Sequence, residues 1–480
     1  MRDIWHSCID ELIYDISIAG APQHSPAPIH RRKPATVMSI HEKTDTVTKS
    51  AYRAVDRNVL AVISLAYVVN CVDRANISFA HLRMDKTLQL TETDYGLAIG
   101  LFYTGYVLFQ IPCAWLFERI GAARTFSRIM ILWGLAGMAM ALCSQKSHLF
   151  GLRFLLGAFE AGFSPLCIYF LRRWYQDRRL GRAISIQQIA GPLSGVLVGL
   201  ISGDIMTRAD GLFGVAGWRW MFVIEAFPAL LIGTWILFFL PNSPADASWL
   251  SSAQKSAFGN IAQPPKPGTP VAGAARPQVR RWAVLLFAFL GIVCGNDIFS
   301  FWLPRLIAEA HVGSLRMVGV LSSLPFAAAA VAMIVAGRLA DRFSEHRVTL
   351  CLAACALGAA CLLLLAIDTA NIAVVLGCTT SGLASLYAAY VIFWTLPDRL
   401  LGAPGSATTY AAINTCGMIA GIICPIVAGR LLDATGSFVL PFCGTALLLI
   451  CGGTGLLILG TSSSNDSGST KVTDHDVQEI

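Results

Sequence analysis

The stretch Tyr67–Ala80, YVVNCVDRANISFA, places two charged residues inside an apolar segment that is long enough to cross a bilayer. A charged side chain at membrane depth is costly, so it normally faces the interior of a helical bundle or a water-filled cavity. Asp73 and Arg74 are chain neighbours, and neighbouring side chains on a helix point about 100° apart, so they cannot pair with each other. Each of them therefore needs a partner on another helix, or a ligand.

The whole chain has the composition of a membrane protein. Of its 480 residues, 55% are hydrophobic and only 14% are charged, whereas soluble domains are about 25% charged. The basic residues fall in short loops between apolar segments, so the net charge of +7 reflects membrane topology rather than nucleic-acid binding. Most of the cysteines lie inside apolar segments, and no Cys/His cluster has zinc-ligand spacing. We therefore expect no nucleic-acid partner, no metal site and no cofactor.

Twelve apolar segments predict an all-α integral membrane protein in a lipid bilayer, because each could cross about 30 Å of hydrocarbon as a helix. The loop Lys and Arg residues fall on one side if the helices alternate, which predicts that both termini are cytoplasmic. The segments lie near 58–80, 94–117, 125–144, 148–171, 182–204, 218–240, 282–304, 316–340, 347–367, 371–396, 405–430 and 438–461.

The composition along the chain predicts five regions. These are a disordered cytoplasmic N-terminal tail (1–56), a first six-helix bundle (57–240), a cytoplasmic linker rich in Pro, Gly, Ala and Ser (241–281), a second six-helix bundle (282–461) and a polar cytoplasmic tail (462–480). Within the first region, Met38 offers an alternative start of the chain.

The two predicted bundles share an internal repeat. AWLFERIGAAR (114–124) corresponds to GRLADRFSEHR (337–347) at an offset of 223 residues, and the same offset relates Asp73 to Asn296. Helix 5 carries glycines at four-residue spacing from Gly191 to Gly203, and helix 11 repeats this spacing. Small residues every four positions let helices approach closely. We infer a duplicated half with glycine-mediated helix packing.

Helix 4 supplies candidate partners for the two charges of helix 1. Arg153 and Glu160 are two turns apart, so they share one helix face about 10 Å apart along the axis. Counting residues from the helix ends places Asp73 and Arg153 at the same depth, about 8 Å below the outer surface of the hydrocarbon. Because helical side chains lean toward the N-terminus, Arg74 and Glu160 lean toward each other. This predicts an Asp73–Arg153 pair and an Arg74–Glu160 pair lining a central cavity; static pairs that only hold the helices together are the alternative.

The predicted pairs could couple protons to an anion. A carboxyl group in a low-dielectric site takes up a proton readily, and the arginine that it releases can bind a carboxylate through two hydrogen bonds. We assign proton coupling to Glu160 first and Asp73 second, and anion binding to Arg74 and Arg153.

Motifs throughout the chain carry a family resemblance. The loops after helices 2 and 8, together with twelve segments in two halves, resemble the major facilitator superfamily over about 57–461. Finer motifs resemble its anion:cation symporter family: DRANISFA in helix 1, GYVLFQIP in helix 2, RFLLGAFEAGFSP in helix 4, GWRWMFVIEAFPA entering helix 6, FWLP ending helix 7 and AINTCGMIAG in helix 11. That family imports organic carboxylates, such as tartrate, phthalate, hydroxyphenylacetate and sugar acids, with protons.

The resemblance implies two pseudo-symmetric six-helix bundles and a bacterial inner-membrane location. It implies that Tyr106 and Asn414 face the cavity. It also implies that two charged sets are cytoplasmic gates, namely Glu118, Arg119 and Arg124 after helix 2 and Asp341, Arg342 and Arg347 after helix 8. The loops depart from the superfamily pattern at Ala114, Glu118 and Ser344.

Several other residues have competing interpretations. Asn296 is a substrate-binding candidate through the repeat, and Asp297 is either a titrating site or a partner of Arg305. Trp394 is either an interfacial anchor or a stacking surface for an aromatic substrate, and we include it among the substrate-binding candidates. Trp302 is expected at the interface and His81 in a solvated outer loop.

These observations favour a secondary transporter over other classes. We expect proton-coupled import of a small organic carboxylate by alternating access, with an exchanger or exporter of the same fold as the alternative. An enzyme would need a nucleophile–base pair or metal ligands, and an ATP-driven pump would need a phosphate-binding loop; the spans contain neither. A monomer is the working expectation.

Overall fold

The computed structural model describes residues 47–175, 177–258, 279–401 and 407–472, and the remaining parts of the predicted tails and linker lie outside these ranges. The described residues contain twelve helices that are long and apolar enough to cross a membrane, which confirms the predicted all-α fold. They are α1 (Val47–Leu88), α2 (Glu92–Ile120), α3 (Ala122–Leu142), α4 (Lys146–Leu171), α5 (Arg179–Arg208), α6 (Gly217–Phe239), α7 (Val279–Glu309), α8 (Leu315–Arg342), α9 (Ser344–Ile367), α10 (Ile372–Phe393), α11 (Ala412–Thr435) and α12 (Val439–Leu459).

Two of these helices are interrupted beside the charged residues singled out above. In α1, regular helix runs over Ala61–Ala75 and again over Ile77–Leu88, with Asn76 at the break. In α4, the first helical piece ends at Glu160 and the second begins at Phe163. Interrupted membrane helices expose backbone groups that must be satisfied inside the protein, so such breaks are found where a helix lines an internal site.

The helix pairs of the first half recur in the second half with the helix number raised by six. Helix α1 packs on α5, α2 on α4 and α3 on α6, and correspondingly α7 packs on α11, α8 on α10 and α9 on α12. This arrangement agrees with the repeat in the sequence. Between the halves, the extensive contacts are those of α2 with α11 and of α5 with α8.

Glycines allow these contacts between the halves. A Cβ atom placed on Gly199 of α5 would lie 2.7 Å from the backbone oxygen of Gly319 on α8. A Cβ atom on Gly96 of α2 would lie 2.1 Å from the backbone oxygen of Pro425 on α11. Real Cβ atoms do not approach backbone so closely, so the predicted glycine-mediated approach of the helices is confirmed.

The stretch after α6 contains short ordered elements that pack on the first half. A short helix covers Ser252–Phe258, and Leu250 and Phe258 are buried. The ring of Trp249 stacks on Trp174, which follows α4, with 5.8 Å between the ring centres. The exact borders of the two bundles and of the linker stay a prediction.

The glycine contact generates a matched pair of variants. We expect Gly199→Ala to push α5 and α8 apart at this point, because the added methyl group would collide with backbone. Gly191→Ala on the same helix is the control, since no atom lies within 4 Å of its Cβ position. Spin labels on Lys86 and Ala434 in a cysteine-free background would report the separation of the halves. Longer distances are expected for G199A alone; identical distributions for both variants would show that the contact does not hold the halves together.

Candidate functional site

Arg74 and Glu160 form a buried ion pair between α1 and α4. The Nε atom of Arg74 donates to Oε1 of Glu160, whose side chain is completely buried, while 20% of the Arg74 side chain is exposed. The first piece of α4 ends here because Gly162 has a φ angle of +79°, which glycine adopts without a steric penalty. The predicted Arg74–Glu160 contact is therefore present, at a helix break.

A second arginine lies close by without an acidic partner. Arg153 is 1% exposed, and its Nε donates to the backbone oxygen of Ala98 at 3.4 Å. Among the described residues, no carboxylate lies within 4 Å of it, and its Nη1 atom makes no hydrogen bond. We call Arg74, Arg153 and Glu160 the central charge cluster. Its formal charge is one positive unit, carried by Arg153.

Aromatic rings of α2 cover both guanidinium groups. The Phe102 ring centre is 5.5 Å from the Arg74 guanidinium carbon and 4.9 Å from that of Arg153. Tyr106 is also under Arg74, at 4.8 Å. Cations are attracted to the faces of aromatic rings, most strongly where water is excluded, so these rings offset part of the cost of burying the arginines. Tyr106 is thus in contact with the central charge cluster, where its predicted role requires it.

The predicted Asp73–Arg153 pair is wrong. Asp73, which is 2% exposed, instead accepts a hydrogen bond from the indole Nε1 of Trp133 at 2.6 Å and a long one from Asn76 at 3.5 Å. The depth comparison ignored rotation about the helix axis: with Arg74 directed at α4, the preceding residue points about 100° away, toward α3. The sequence analysis missed Trp133. Its signal was an indole N–H inside an apolar helix, which usually has a hydrogen-bond partner when buried.

The second-half candidates lie on α7, at the end of α10 and on α11. Asn296 on α7 donates to the backbone of its own helix, to Ile292, at 3.1 Å. Asn414 is half-buried on α11. Trp394 is half-buried too, with its ring edge-to-face to Phe289 and 5.1 Å away, and also beside Tyr390. No ion pair joins any of these described residues to the central charge cluster.

Two tyrosines connect the central charge cluster to the second half. Tyr103 on α2 is within electrostatic reach of the cluster and of Asp297 on α7. Tyr67 on α1 interacts electrostatically with Arg74 and with Tyr390 of α10. Tyr103 also packs edge-to-face on Phe102 at 5.4 Å and against Gly421 of α11, so it lies between the cluster and the second half, although it was not among the predicted site residues. Its signal was its position one helical turn before Tyr106.

The two predicted gate sets lie at the surface, at the end of the helices remote from Glu92. Arg347 and Asp341 are 3.8 Å apart, which is a weak contact within one set. Arg119 lies over the ring of Trp115 at 3.8 Å. No ion pair joins one set to the other, although all six residues are within the described ranges.

At the opposite end, Glu92 joins the two halves. Its carboxylate contacts Arg305 of α7, and its Oε2 accepts from the indole of Trp302 at 3.0 Å. The carboxylate of Asp433 on α11 accepts from the backbone N–H groups of Glu92 and Thr93, at 2.9 and 2.8 Å. A carboxylate at a helix N-terminus is favoured by the unpaired N–H groups there. We call Glu92, Thr93, Trp302, Arg305 and Asp433 the Glu92 lock.

The Glu92 lock corrects three expectations. Arg305 pairs with Glu92 and Glu309 instead of Asp297. Trp302 is fully buried rather than interfacial. His81 is 3% exposed and stacks on Tyr95 at 3.9 Å, with its Nε2 atom 3.3 Å from Glu92, rather than being solvated. The corrections at Arg305 and Trp302 depend on contacts between the two halves, whereas His81 is buried by contacts with α2 of its own half.

The comparisons with known proteins agree with this architecture. The sequence pattern of the Major Facilitator Superfamily matches residues 63–425. A Pseudomonas putida protein named as the metabolite transport protein NicT is 32% identical over 393 residues, which cover 81% of this chain and 90% of that protein. An Agrobacterium vitis protein named as a tartrate transporter is 33% identical over 386 residues, 80% of this chain and 85% of that protein. The solved D-xylose-proton symporter has the same fold, with a TM-score of 0.67 at 17% identity over 84% of this chain and 96% of that one.

The ion pair predicts a non-additive effect on stability. Arg74→Gln or Glu160→Gln alone leaves one buried charge without its partner, which costs about 3–5 kcal/mol in buried pairs. The double variant removes both charges, so we expect it to melt at a higher temperature than either single variant. Thermal unfolding of the purified protein in detergent, followed by tryptophan fluorescence, gives the three melting temperatures. If the double variant were as unstable as the sum of the singles, the two residues would act independently.

Proposed function

Since the chain belongs to the Major Facilitator Superfamily and is a multi-pass membrane transporter, we propose that it imports a small organic carboxylate together with protons by alternating access. The relative named as a tartrate transporter supports the carboxylate as substrate class. The predicted positive-inside topology supports an inner membrane of bacterial type, with the gate sets in the cytoplasm.

The observation that carries this proposal is the unpaired charge of Arg153. A guanidinium buried without an acidic partner is costly, and an anion that binds it recovers part of that cost. Arg153 and the partly exposed Arg74 both lie near the ring of Phe102, with their guanidinium carbons 4.9 and 5.5 Å from its centre. Two guanidinium groups that share one aromatic neighbour form a site for a carboxylate, which each of them can bind through two hydrogen bonds.

An exchange of partners at Arg74 then couples the anion to a proton. With one carboxylate bound, the central charge cluster is neutral as long as Glu160 keeps its pair with Arg74. If the carboxylate takes over Arg74 as well, Glu160 loses its counter-charge inside the protein, and it takes up a proton. Glu160 is therefore the residue to which we assign proton coupling, and Arg74 alternates between Glu160 and the substrate.

The remaining candidates complete the site from the second half. We assign substrate contacts to Tyr106 beside Arg74, and to Asn296, Asn414 and Trp394 across the interior. Asparagine amides can hydrogen-bond hydroxyl groups of a substrate, and the Trp394 ring can stack on an aromatic one. The aromatic surroundings of Arg74 and Tyr390 favour a substrate with a compact body over a long flexible one.

Alternating access follows from the two ends of the molecule. The Glu92 lock closes one end, while the two gate sets at the other end are not joined by ion pairs within the described residues. With the gate sets in the cytoplasm, this is a state closed to the outside. In the opposite state the Glu92 lock opens, and the gate sets engage across the halves.

Accumulation of an anion against the membrane potential requires a co-transported cation, and we assign this role to protons. The inside-negative membrane potential opposes each incoming negative charge by about 2.3 kcal/mol per 100 mV. One proton per carboxylate group cancels this term, and the pH gradient then drives accumulation. An exchanger of organic anions would instead need a counter-anion and would not respond to an imposed pH gradient.

Uptake into proteoliposomes tests the proposal. A panel of hydroxydicarboxylates, aromatic acids and sugar acids is offered with and without an imposed gradient of about one pH unit, acidic outside, which supports about tenfold accumulation for one driving proton. We expect wild-type protein to accumulate one class of these acids. Glu160→Gln is expected to lose the gradient-driven accumulation and to retain exchange of labelled for unlabelled substrate.

Arg153→Gln is the matched contrast, because it removes the anion site and should lose both accumulation and exchange. Accumulation by E160Q equal to that of the wild type would contradict the role of Glu160. Wild-type uptake that ignores the pH gradient but requires an internal anion would identify an exchanger, and transport only into inverted vesicles would identify an exporter.

A further inference from the structure

A second group of buried acids lies on the face of α1 that is turned away from the central charge cluster. Asp73 accepts from Trp133 of α3 at 2.6 Å, and Glu225 of α6 accepts from the Ser202 hydroxyl of α5 at 2.6 Å. Asn76, at the break of α1, lies between the two acids: its amide nitrogen faces Asp73 Oδ1 at 3.5 Å, and its side chain also interacts with Glu225. We call Asp73, Asn76 and Glu225 the α1–α6 acid group.

These acids are buried without a counter-charge. Asp73 is 2% and Glu225 6% exposed, and Oε2 of Glu225 makes no hydrogen bond. Among the described residues neither acid forms an ion pair within 4 Å, and the charges that reach Asp73 are those of Glu160 and Arg153 on α4 and of Glu225. A buried polar group without a partner is rare, and a buried carboxylate without a cation is rarer still.

The other charged side chains of the helices around this group are engaged elsewhere. On α5, Arg208 pairs with Asp204 at 2.8 Å, and Asp204 also faces Arg316 of α8. On α6, Arg219 donates to the backbone oxygens of Ala141 and Cys143. Among the residues that the structure describes, no Lys or Arg forms an ion pair with Glu225.

An apolar groove removes water from the outer side of the acid group. It lies between α1, α5 and α6, has a volume of about 410 Å³, and has Glu225 in its wall. Its other lining residues are aliphatic, and several of them, including Leu65, Ile201 and Ile224, are exposed on the surface that faces the membrane. Lipid chains cannot solvate a carboxylate, so ionised Glu225 would be charged against hydrocarbon.

We propose that Asp73 and Glu225, bridged by the side chain of Asn76, form a second proton-binding site in which one of the two acids holds a proton, and that this site loads and unloads during the transport cycle. The proposal rests on the proton-coupled transport proposed above. Two carboxyl groups that share a dry site cannot both be ionised at low cost, so one proton satisfies the pair, as it does in other carboxylate dyads. The step is a simple protonation of a carboxylate, and no other bond changes.

The break in α1 links this site to the substrate site. Asp73 and Arg74 are adjacent on the helical piece that ends at Ala75, and Asn76 lies between this piece and the one that begins at Ile77. When α1 moves during the change of access, a rotation that takes Arg74 off Glu160 also moves Asp73 relative to Asn76 and Glu225. The same movement of α1 therefore affects both the proton of the α1–α6 acid group and the anion bound to Arg74.

The number of protons carried per substrate tests this inference. Reversal potentials of wild-type, Asp73→Asn, Glu225→Gln and double-variant proteoliposomes give the proton-to-substrate ratio. A shared proton predicts that each single variant lowers the ratio by one and that the double variant lowers it by no more than one. Asp204→Asn on the neighbouring α5 is the matched control, and it should keep the wild-type ratio.

The outcomes separate this inference from the proposed function. A wild-type ratio of zero overturns proton coupling altogether. A nonzero wild-type ratio that is reduced in E160Q but unchanged in E225Q overturns only the second site, and a loss of two protons in the double variant shows two independent sites instead of a shared one.

Infrared spectroscopy of wild-type protein provides a readout that needs no variant to fold. The carbonyl stretch of a protonated carboxyl group should be present at neutral pH and should shift on labelling with carbon-13 glutamate or aspartate. D73N and E225Q, where folded, should each alter this band, whereas D204N should not. A spectrum without any protonated carboxyl group would contradict the shared proton.

Discussion

The cost of burying charge at membrane depth governs this molecule, and the contact between Arg74 and Glu160 is where that cost is met most directly. The pair is only neutral as a unit, so neither residue can change its partner without a replacement charge. Arg153, which contacts Phe102 and has no acid within 4 Å among the described residues, leaves the central charge cluster with one positive charge in excess. An anion can restore neutrality to such a site, and a proton can follow when that anion displaces Glu160 from Arg74; the proposed transport depends on this exchange of partners.

The rest of the structure places this pair where it can exchange partners. Breaks in α1 and α4 fall beside Arg74 and Glu160, so both residues lie at ends of rigid helical pieces rather than in the middle of one. Glycine contacts between α5 and α8 hold the halves close together, and the Glu92 lock closes one end through charge-assisted hydrogen bonds. The glycine contacts bury little surface and the contacts of the Glu92 lock are polar. Both can therefore be broken and re-formed at modest cost in free energy while each six-helix half keeps its own packing.

The sequence predicted the parts of this arrangement that depend on one helix at a time. The lengths of the apolar segments predicted the twelve helices. The tilt of helical side chains toward the N-terminus predicted the contact between Arg74 and Glu160. The predicted partners of a side chain were wrong where they depend on rotation about the helix axis or on contact between helices that are distant in the sequence. Asp73 faces Trp133 because its neighbour faces α4, and Arg305 meets Glu92 across more than 200 residues of chain. Glu225 was overlooked even though a lone acid within an apolar helix is itself a signal of function; it was treated as part of a motif instead of as a charge that needs a partner.

Proton uptake on substrate binding tests the central claim most directly. The purified transporter, in weakly buffered detergent solution near pH 7, is mixed with the carboxylate that it accumulates in the uptake experiment. A pH-sensitive dye then reports the change in the pH of the solution. Displacement of Glu160 from Arg74 by the substrate predicts uptake of about one proton per bound carboxylate, and loss of that uptake in E160Q. Binding of the carboxylate by wild-type protein with no change in pH would contradict the account, because the anion would then bind without displacing Glu160 from Arg74.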